Sequence, residues 1–287
     1  MPVVVAVAAL ALAHFPLLWA HMHVLSLKPH YEFYPLVFVG AGVLAMPAVR
    51  MIRAGHRPSQ TEWQIGLGLL GLNWVMLTTS VVLNSPWLGM ISFWELLTAM
   101  AMLAGGWEVL KALRPALIFL VLVIPPPMNL DGKLVLGLQG LTSRVSSHVL
   151  NRMGTLHFLD GNTVEVGTRS YFVDKACSGI NSLFSTIAVT LFCVLYFGAQ
   201  WWRKICLFAA VVFWVVVANV TRVTTIVWLD RKFQIDLSTE QWDWAKGLTF
   251  WDINLDHYIP GPHALFGFFL FGLVLALMFS TNRFLMF

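Results

Sequence analysis

Eight apolar stretches, joined mostly by short polar connections, constrain this chain more than any other feature. A membrane-crossing helix needs about 20 predominantly apolar residues, and most of the stretches approach that length. The predicted spans are residues 3–26, 33–49, 63–83, 91–110, 114–127, 178–199, 204–228 and 262–281. The fifth ends in three prolines at 125–127, which cannot continue a helix. We therefore predict an all-α integral membrane protein with about eight transmembrane helices, forming one multi-pass domain over residues 1–287.

The composition excludes a soluble globule and argues against nucleic-acid binding. Only 11% of the 287 residues are charged and 58% are hydrophobic, whereas a soluble domain has about 25% charged residues. The net charge of +4 arises from basic residues in short loops beside apolar runs, so we interpret it as a topology signal. The apolar residues 2–27 lack a basic leader and a small-residue cleavage site, which favours a retained span over a signal peptide.

The basic loops predict the orientation of the chain. Lys and Arg concentrate in loops on the cytoplasmic side of membrane proteins. With eight alternating spans, these loops fall on one side and hold Arg50, Arg53, Arg57, Lys111, Arg114, Arg203 and Lys204. Both termini are then cytoplasmic. We predict that the protein lies in the cell (inner) membrane. The segments that face the outer side of this membrane are then 27–32, 84–90, 128–176 and 229–261.

The long outer segment predicts a small cap. Apolar residues recur at helical spacing in its first part, which is typical of an amphipathic helix at the membrane interface; they are Leu130, Leu134, Leu138, Leu141, Val145 and Val149. Asp160-Gly161 then predicts the turn of a β-hairpin. The aromatic-rich residues 241–258 fit an interfacial belt better than a substrate rim. The sequence holds no glycine-rich phosphate loop and no H-E-x-x-H motif, so neither cofactor nor metal is expected.

Three chemically active residues are predicted to meet at the outer rim. Cys177 opens the sixth span, Arg222 comes late in the seventh, and His263 opens the eighth. Because antiparallel helices return to the same depth, these three positions can be neighbours despite their distance in sequence. Acyl transfer by cysteine needs a thiolate, a proton carrier and positive charge for the oxyanion. We therefore assign Cys177 as nucleophile, His263 as acid or base, and Arg222 as stabiliser of the anion.

Each assignment competes with a simpler interpretation. Membrane cysteines are usually small apolar fillers, which is how we interpret Cys193 and Cys206. An arginine near a helix end can snorkel to the headgroups, and His263 could be an ordinary interfacial histidine, with His257 as a competitor in the loop.

The surroundings favour the functional interpretation for Cys177. Small polar neighbours and first-turn amides favour a thiolate; these neighbours include Ser178 and Asn181, which with Asn219 are the supporting candidates. Asn219 precedes Arg222 by three residues on the same helical face and is placed to hold the guanidinium.

Four segments carry a resemblance to a known family. They are "RPALIFLVLVIPPP" at 114–127, "ACSGINSLFS" at 176–185, "NVTRV" at 219–223 and "GPHALFGF" at 261–268. Together they resemble the exosortase/archaeosortase family of membrane cysteine transpeptidases. The resemblance is specific over residues 110–285, whereas residues 1–109 are similar only as generic spans.

The resemblance implies an activity and a class of partner. It implies cleavage of exported proteins at a C-terminal sorting signal made of a short motif, a hydrophobic span and a basic end. In the family, the residue that matches Cys177 forms the acyl-thioester. The resemblance further implies that Arg222 donates a proton and that His263 stabilises the transition state. The last two roles are exchanged relative to ours. We keep the histidine as proton carrier because arginine stays protonated far above neutral pH.

Two other classes of function remain open at this stage. A membrane acyltransferase acting on lipids would also suit a Cys/His pair at the rim. A transporter would use polar residues near mid-span, whereas the candidates here cluster at one rim. Substrate motif, subfamily, oligomeric state and the acceptor, whether water, lipid or amine, do not follow from the sequence.

Overall fold

The computed structural model describes residues 2–167, 169–172, 180–198, 200–233, 249–250, 253–254 and 261–285, and of His263 only the backbone. Its contacts divide into two compact units. Unit 1 comprises Met1–Met128 and Ala188–Ala199, and unit 2 comprises Asn129–Ile187 and Gln200–Phe287. The prediction of one domain over the whole chain is not tested by this division.

Helices make up most of the described chain. They are α1 Pro2–Ser26, α2 Tyr34–Arg53, α3 Gln60–Val82, α4 Pro86–Leu120, α5 Leu130–Arg152, α6 Ile180–Phe197, α7 Trp201–Phe233 and α8 Pro262–Phe284. In the described part, five helices are long and apolar enough to cross a membrane, or six if the bent pair Pro86–Val123 and Pro127–Arg152 forms one span. A multi-pass membrane protein is thus confirmed, while the number of eight spans stays a prediction.

The predicted fourth and fifth spans both lie within α4, which is interrupted by a break in its helical conformation. The sequence placed their boundary at residues 111–113, but the non-helical residues are Gly105 and Gly106, the latter at φ +69°. Conformations of this kind are open to glycine and strained for other residues. The Glu62 carboxylate accepts the Trp107 backbone N–H at 3.0 Å, as a cap does for a helix that restarts. The true boundary therefore precedes Lys111 by several residues.

The two halves of α4 fold back on each other. The Trp94 indole N–H donates to the Leu117 carbonyl at 2.8 Å, and the Trp87 indole N–H donates to the Pro125 carbonyl at 2.9 Å. In a straight helix, 23 residues would separate Trp94 from Leu117 by about 35 Å. The contacts require an antiparallel hairpin centred on the glycine pair. Beyond Leu120, the short 3-10 turns Val121–Val123 and Pro127–Asn129 flank the prolines, as predicted.

Unit 1 packs α1, α2 and α3 around this hairpin. One apolar cluster joins Leu70 of α3 to Leu96 and Ala99 of α4, and a second joins Ala48 of α2 to Ala101 and Val109. Helix α1 presents most of its side chains outward but buries His14 and His21. The His21 imidazole Nε2 lies 2.9 Å from the Val123 carbonyl, which ties α1 to the end of α4.

Helix α5 buries its polar side and exposes its apolar stripe. Leu130, Leu134, Leu141 and Val145 of the predicted stripe are exposed, and only Leu138 is buried. The buried face holds Asp131, Val135, Gln139, Thr142, Ser143, Ser146 and Leu150. In lipid, apolar side chains are favoured outside and polar ones inside. The helix predicted at 130–149 is present, but the structure does not confirm its interfacial position.

A small antiparallel sheet follows α5, and its first two strands confirm the predicted hairpin. The strands are β1 Phe158–Asp160, β2 Thr163–Val166 and β3 Arg169–Phe172, in the order β1-β2-β3. Asp160 pairs with Thr163 across the turn. The third strand was not predicted. Two further short strands, β4 Thr249–Phe250 and β5 Ile253–Asn254, pair within the aromatic-rich loop, outside the predicted hairpin.

Candidate functional site

All six predicted site residues belong to unit 2. Cys177 and Ser178 lie outside the described residues. Asn181 stands at the start of α6, Asn219 and Arg222 lie on α7, and His263 is the second residue of α8. The geometry of the site can therefore be built from the two helices that carry Arg222 and His263.

Helices α7 and α8 run antiparallel with a fixed register. At one end, Arg203 near the start of α7 donates through Nη2 to the Asn282 side-chain oxygen at 2.6 Å. Further along, the Trp214 indole N–H donates to Thr281 Oγ1 at 3.3 Å. This pairing of the start of α7 with the end of α8 brings the late part of α7 back to the first turns of α8.

Arg222 meets α8 at Gly267. A Cβ built on Gly267 would stand 3.0 Å from Arg222 Nη2 and 3.2 Å from its Cζ. Distances this short are tighter than ordinary Cβ contacts, so a methyl group at position 267 would push the guanidinium aside by a few tenths of an ångström. The guanidinium therefore lies between the two helices, packed on the bare backbone of α8, and its Nε is shielded from solvent.

The contact places the guanidinium one turn from His263. Gly267 follows His263 by four residues in α8, and residues four apart lie above one another on one side of a helix. His263 itself occupies the first turn, after Gly261 as N-cap and Pro262 as the first helical residue. A proline there has its φ already set for the helix and needs no hydrogen-bond partner for its nitrogen. The sequence "GPH" thus fixes where α8 begins, and with it the height of residue 263.

Asn219 shares the buried face of α7 with the site. It is 5% exposed and precedes Arg222 by three residues, as predicted. Asn181, in the first turn of α6, is half-buried, and no donor in the described part of the chain meets its Oδ1. The supporting role predicted for Asn181 and Asn219 stays a prediction.

A second polar cluster joins the sheet to the far end of α7. Asp230 is buried, and its carboxylate accepts hydrogen bonds from the Arg169 guanidinium and the Tyr171 hydroxyl of β3. Burial, followed by the bond to Asp230, raises the pKa of Tyr171 to about 12. Helix α7 was predicted to end at residue 228, but it continues to Phe233, which makes Asp230 available to β3.

Apolar packing supports the same junction. Leu150 of α5, Val164 and Val166 of β2 and Val227 of α7 form a buried cluster. Just before β1, the His157 imidazole is hydrogen-bonded to Ser147 of α5 at 2.7 Å. Because β3 ends at Phe172, five residues before Cys177, these contacts fix the chain close to the predicted nucleophile.

The other two cysteines differ from a catalytic thiol. Cys193 on α6 and Cys206 on α7 are free and exposed on the surface of apolar helices. Such positions suit the interpretation as apolar fillers.

Sequence reasoning missed Gly267 and Asp230. The sequence does contain a hint for Gly267, since it follows the candidate His263 by one helical turn. A glycine at such a position lets a side chain from a neighbouring helix pack directly on the backbone. Asp230 gave a weaker signal, since its partners Arg169 and Tyr171 precede it by about sixty residues.

No curated protein and no solved structure matches the chain. The family model described as transmembrane exosortase matches residues 19–280, which include every predicted site residue, all of α7 and most of α8. On that match, the chain belongs to the transmembrane exosortase family.

Proposed function

We propose that this protein is a cysteine-dependent membrane transpeptidase or protease that cleaves exported proteins at a C-terminal sorting signal. Membership of the family supports a protein-sorting enzyme of the membrane. The observation that carries the finer proposal is the packing of the Arg222 guanidinium on Gly267, one turn beyond His263. That contact brings a fixed positive charge to the helix turn next to a titratable imidazole.

The first chemical step forms an acyl-enzyme. The Cys177 thiolate attacks the carbonyl carbon of the scissile peptide, and a negative charge develops on the carbonyl oxygen. The C–N bond then breaks, and His263 gives a proton to the departing amine. The products of this step are a thioester on Cys177 and a released C-terminal segment with a free amino end.

The second step regenerates the thiol. A nucleophile, either water or an amine or hydroxyl of an acceptor, attacks the thioester carbonyl after losing its proton to the now neutral His263. The C–S bond breaks and the thiolate leaves. With water the net reaction is hydrolysis, and with an acceptor it is transpeptidation.

Arg222 serves the charged intermediates of both steps. Its guanidinium is positively charged at every physiological pH and offers two parallel N–H donors. Because it is packed between two helices rather than extended into solvent, it needs little reorganisation when the oxyanion forms. Placing such a charge in a membrane segment is costly unless it faces a partner or a cavity, which itself favours a functional role.

The proposed partners are exported proteins anchored by their own C-terminal span. The basic loops support an outer-face site with cytoplasmic termini. A substrate threaded through the same membrane would then present its cleavable peptide at the outer leaflet, beside its hydrophobic span. Membrane lipid is the surrounding solvent for both proteins.

The decisive experiment combines single cysteine variants with a tagged substrate. Membranes are supplied with a protein that ends in a sorting motif, a hydrophobic span and a basic tail, and cleavage is followed by mass spectrometry. Cys177→Ala should abolish cleavage, whereas Cys193→Ala and Cys206→Ala should retain most of it. Cleavage by the Cys177→Ala protein would overturn the proposal.

The same assay distinguishes a protease or transpeptidase from a lipid acyltransferase. Radiolabelled lipid is added together with the tagged substrate, and both products are measured. Loss of the C-terminal segment without lipid transfer supports the protease. Acyl transfer from or to lipid, with the substrate protein intact, would assign the site to lipid chemistry instead.

A further inference from the structure

A buried polar cluster lies inside unit 1 and takes no part in the proposed reaction. It consists of His14 on α1, Asn73 on α3, and Ser92 and Glu95 on α4. The first three are fully buried and Glu95 is 8% exposed. All four occur within otherwise apolar membrane helices, where an ionisable side chain is a reason to look for function.

The hydrogen bonds of the cluster account for most of its protons, and the Ser92 hydroxyl has two acceptors, His14 Nε2 at 3.0 Å and the Asn73 backbone carbonyl at 3.5 Å. His14 Nδ1 lies 2.7 Å from the Leu10 carbonyl, which can only accept, so Nδ1 carries the hydrogen. In the neutral imidazole, Nε2 then accepts from the Ser92 hydroxyl at 3.0 Å. The Asn73 amide donates both of its hydrogens, to the Ser92 carbonyl at 2.6 Å and to Ser92 Oγ at 3.1 Å. With His14 neutral, the donors of Asn73 and Ser92 are all used.

Three acceptor oxygens remain. Asn73 Oδ1 and both carboxyl oxygens of Glu95 are buried and accept no hydrogen bond of normal geometry in the described part of the chain. The Asn73 amide N–H approaches the Glu95 carboxyl, but it is already bonded to Ser92. The titratable groups that face this point are His14 from α1 and Glu95 itself from α4, while α3 contributes the uncharged Asn73.

A bare carboxylate is not stable in such a place. Insertion of an acidic side chain at the centre of a membrane helix is costly even on the most lenient scale. The described ion pairs do not include Glu95. One positive charge between Glu95 and Asn73 Oδ1 would satisfy the unmatched oxygens.

We propose that Glu95 and Asn73 form an intramembrane binding site for one small cation, with Ser92 and neutral His14 holding Asn73 in place. Bound as a proton, the cation sits on the Glu95 carboxyl and its O–H donates to Asn73 Oδ1. Bound as Na⁺, it is shared by the carboxylate and the amide oxygen. A proton and Na⁺ each supply one positive charge at this point, and either would link Asn73 of α3 to Glu95 of α4.

A groove between α1 and α3 lies next to the cluster, although none of its four polar residues lines the groove. Its volume is about 670 Å³ and its walls are mostly apolar. Leu10 and Ala13, which flank His14, and Leu70 and Leu77, which flank Asn73, all line the groove. A hydrophobic reagent dissolved in the membrane can therefore approach the cluster.

Labelling with a hydrophobic carbodiimide tests the proposal on the purified, full-length protein. The reagent adds to a protonated carboxylic acid without a leaving group, so the labelled peptide gains the mass of the reagent. We expect Glu95 to be modified, with labelling that declines as the pH rises. Protection by NaCl relative to choline chloride identifies Na⁺ as the occupant, and equal labelling in both salts identifies the proton.

Thermal stability gives a second, independent readout. Gln is the neutral isostere of a protonated Glu, so Glu95→Gln should keep the fold and lose the response to the cation. The parent should lose stability as the pH rises and the proton leaves, or should gain it from Na⁺, whereas Glu95→Gln should do neither. Glu108→Gln is the matched control, because Glu108 lies on the same helix but is exposed and paired with Lys111 at 2.8 Å.

Either readout suffices to support the site. The proposal is overturned if Glu95 stays unlabelled at every pH and, in addition, the parent and Glu95→Gln show the same dependence of melting temperature on pH and Na⁺.

Discussion

The guanidinium of Arg222 occupies the space that a side chain at position 267 would need. The two residues come from neighbouring antiparallel helices, and the contact lies one turn from His263. The absence of a Cβ at Gly267 thus sets the distance between a fixed positive charge and the first turn of α8.

Gly267→Ala should impair cleavage while leaving the helix intact. The added methyl would stand 3.0 Å from Nη2 and 3.2 Å from Cζ, so the guanidinium has to move by a few tenths of an ångström or more. Alanine is also the better helix former. We expect an activity loss between about tenfold and a hundredfold, as for other small displacements of catalytic groups, with an unchanged melting temperature.

Gly272→Ala provides the control on the same helix. A Cβ at Gly272 meets no described atom within 4 Å. Activity should stay at the parental level. If both alanine variants lose activity equally, the effect comes from α8 in general and not from the Arg222 contact.

Arg222→Lys should separate the two roles considered for the arginine. Lysine keeps the charge but loses the planar pair of donors. For an electrostatic clamp, the loss is about 2.7–4 kcal/mol of transition-state stabilisation, as for one missing oxyanion donor. The pH–rate profile should keep its shape, because no titrating group has changed. A proton-donating role predicts instead that the alkaline limb moves to lower pH, since lysine releases its proton at lower pH than arginine.

His263→Ala should slow acylation by about a hundredfold or more, the usual contribution of a positioned acid–base group. His257→Ala is the control, because His257 is the competing histidine of the same loop region. Single-turnover release of the C-terminal segment measures this step. The assignment is wrong if the His257 variant is the one that loses activity.

Asp230→Asn should loosen the sheet from α7. The buried carboxylate accepts hydrogen bonds from both Arg169 and Tyr171 of β3, and an amide in its place loses the negative charge and one of the two acceptor oxygens. We expect a lower melting temperature and slower cleavage, since β3 leads to the segment that carries Cys177. Glu165→Gln, on the exposed side of β2, should change neither.

Tyr171 provides a pH test of the same junction. Its folded-state pKa is raised to about 12, against about 10 in an unfolded chain. The neutral hydroxyl therefore contributes stability that is fully present below about pH 10 and is lost as the pH rises towards 12. Comparing the phenolate absorbance of the parent with that of Tyr171→Phe should reveal one tyrosine that titrates late. Titration of Tyr171 near pH 10 would contradict the contact with Asp230.

The sequence predicted the helices better than their breaks. Hydropathy identified the apolar segments because each must cover the thickness of the bilayer. It placed the turn within α4 at residues 111–113 because basic residues usually mark loops. The decisive feature was local instead: Gly105 and Gly106 take non-helical conformations and Glu62, from a different helix, caps the restart. Because the capping residue Glu62 lies on α3, the sequence around Trp107 in α4 gives no indication that a helix restarts there.

The same limit applies to the site. Arg222 and His263 were proposed as site residues because they are polar side chains within apolar sequence. Gly267 matters through the side chain that it lacks, and Asp230 through partners in a strand that was not predicted. The buried face of α5 was missed because we followed its leucines, and the polar residues between them are the ones that pack inside.

Helix α5 also has a consequence for how the protein is made. A segment with Asp131, Gln139, Thr142, Ser143 and Ser146 along one side is a poor candidate for insertion into lipid by itself. Helix α7 packs against α5 and is synthesised some fifty residues later. We therefore expect α5 to stay at the membrane surface or within the insertion machinery until α7 is made. The burial of α5 is then a late step in the assembly of unit 2.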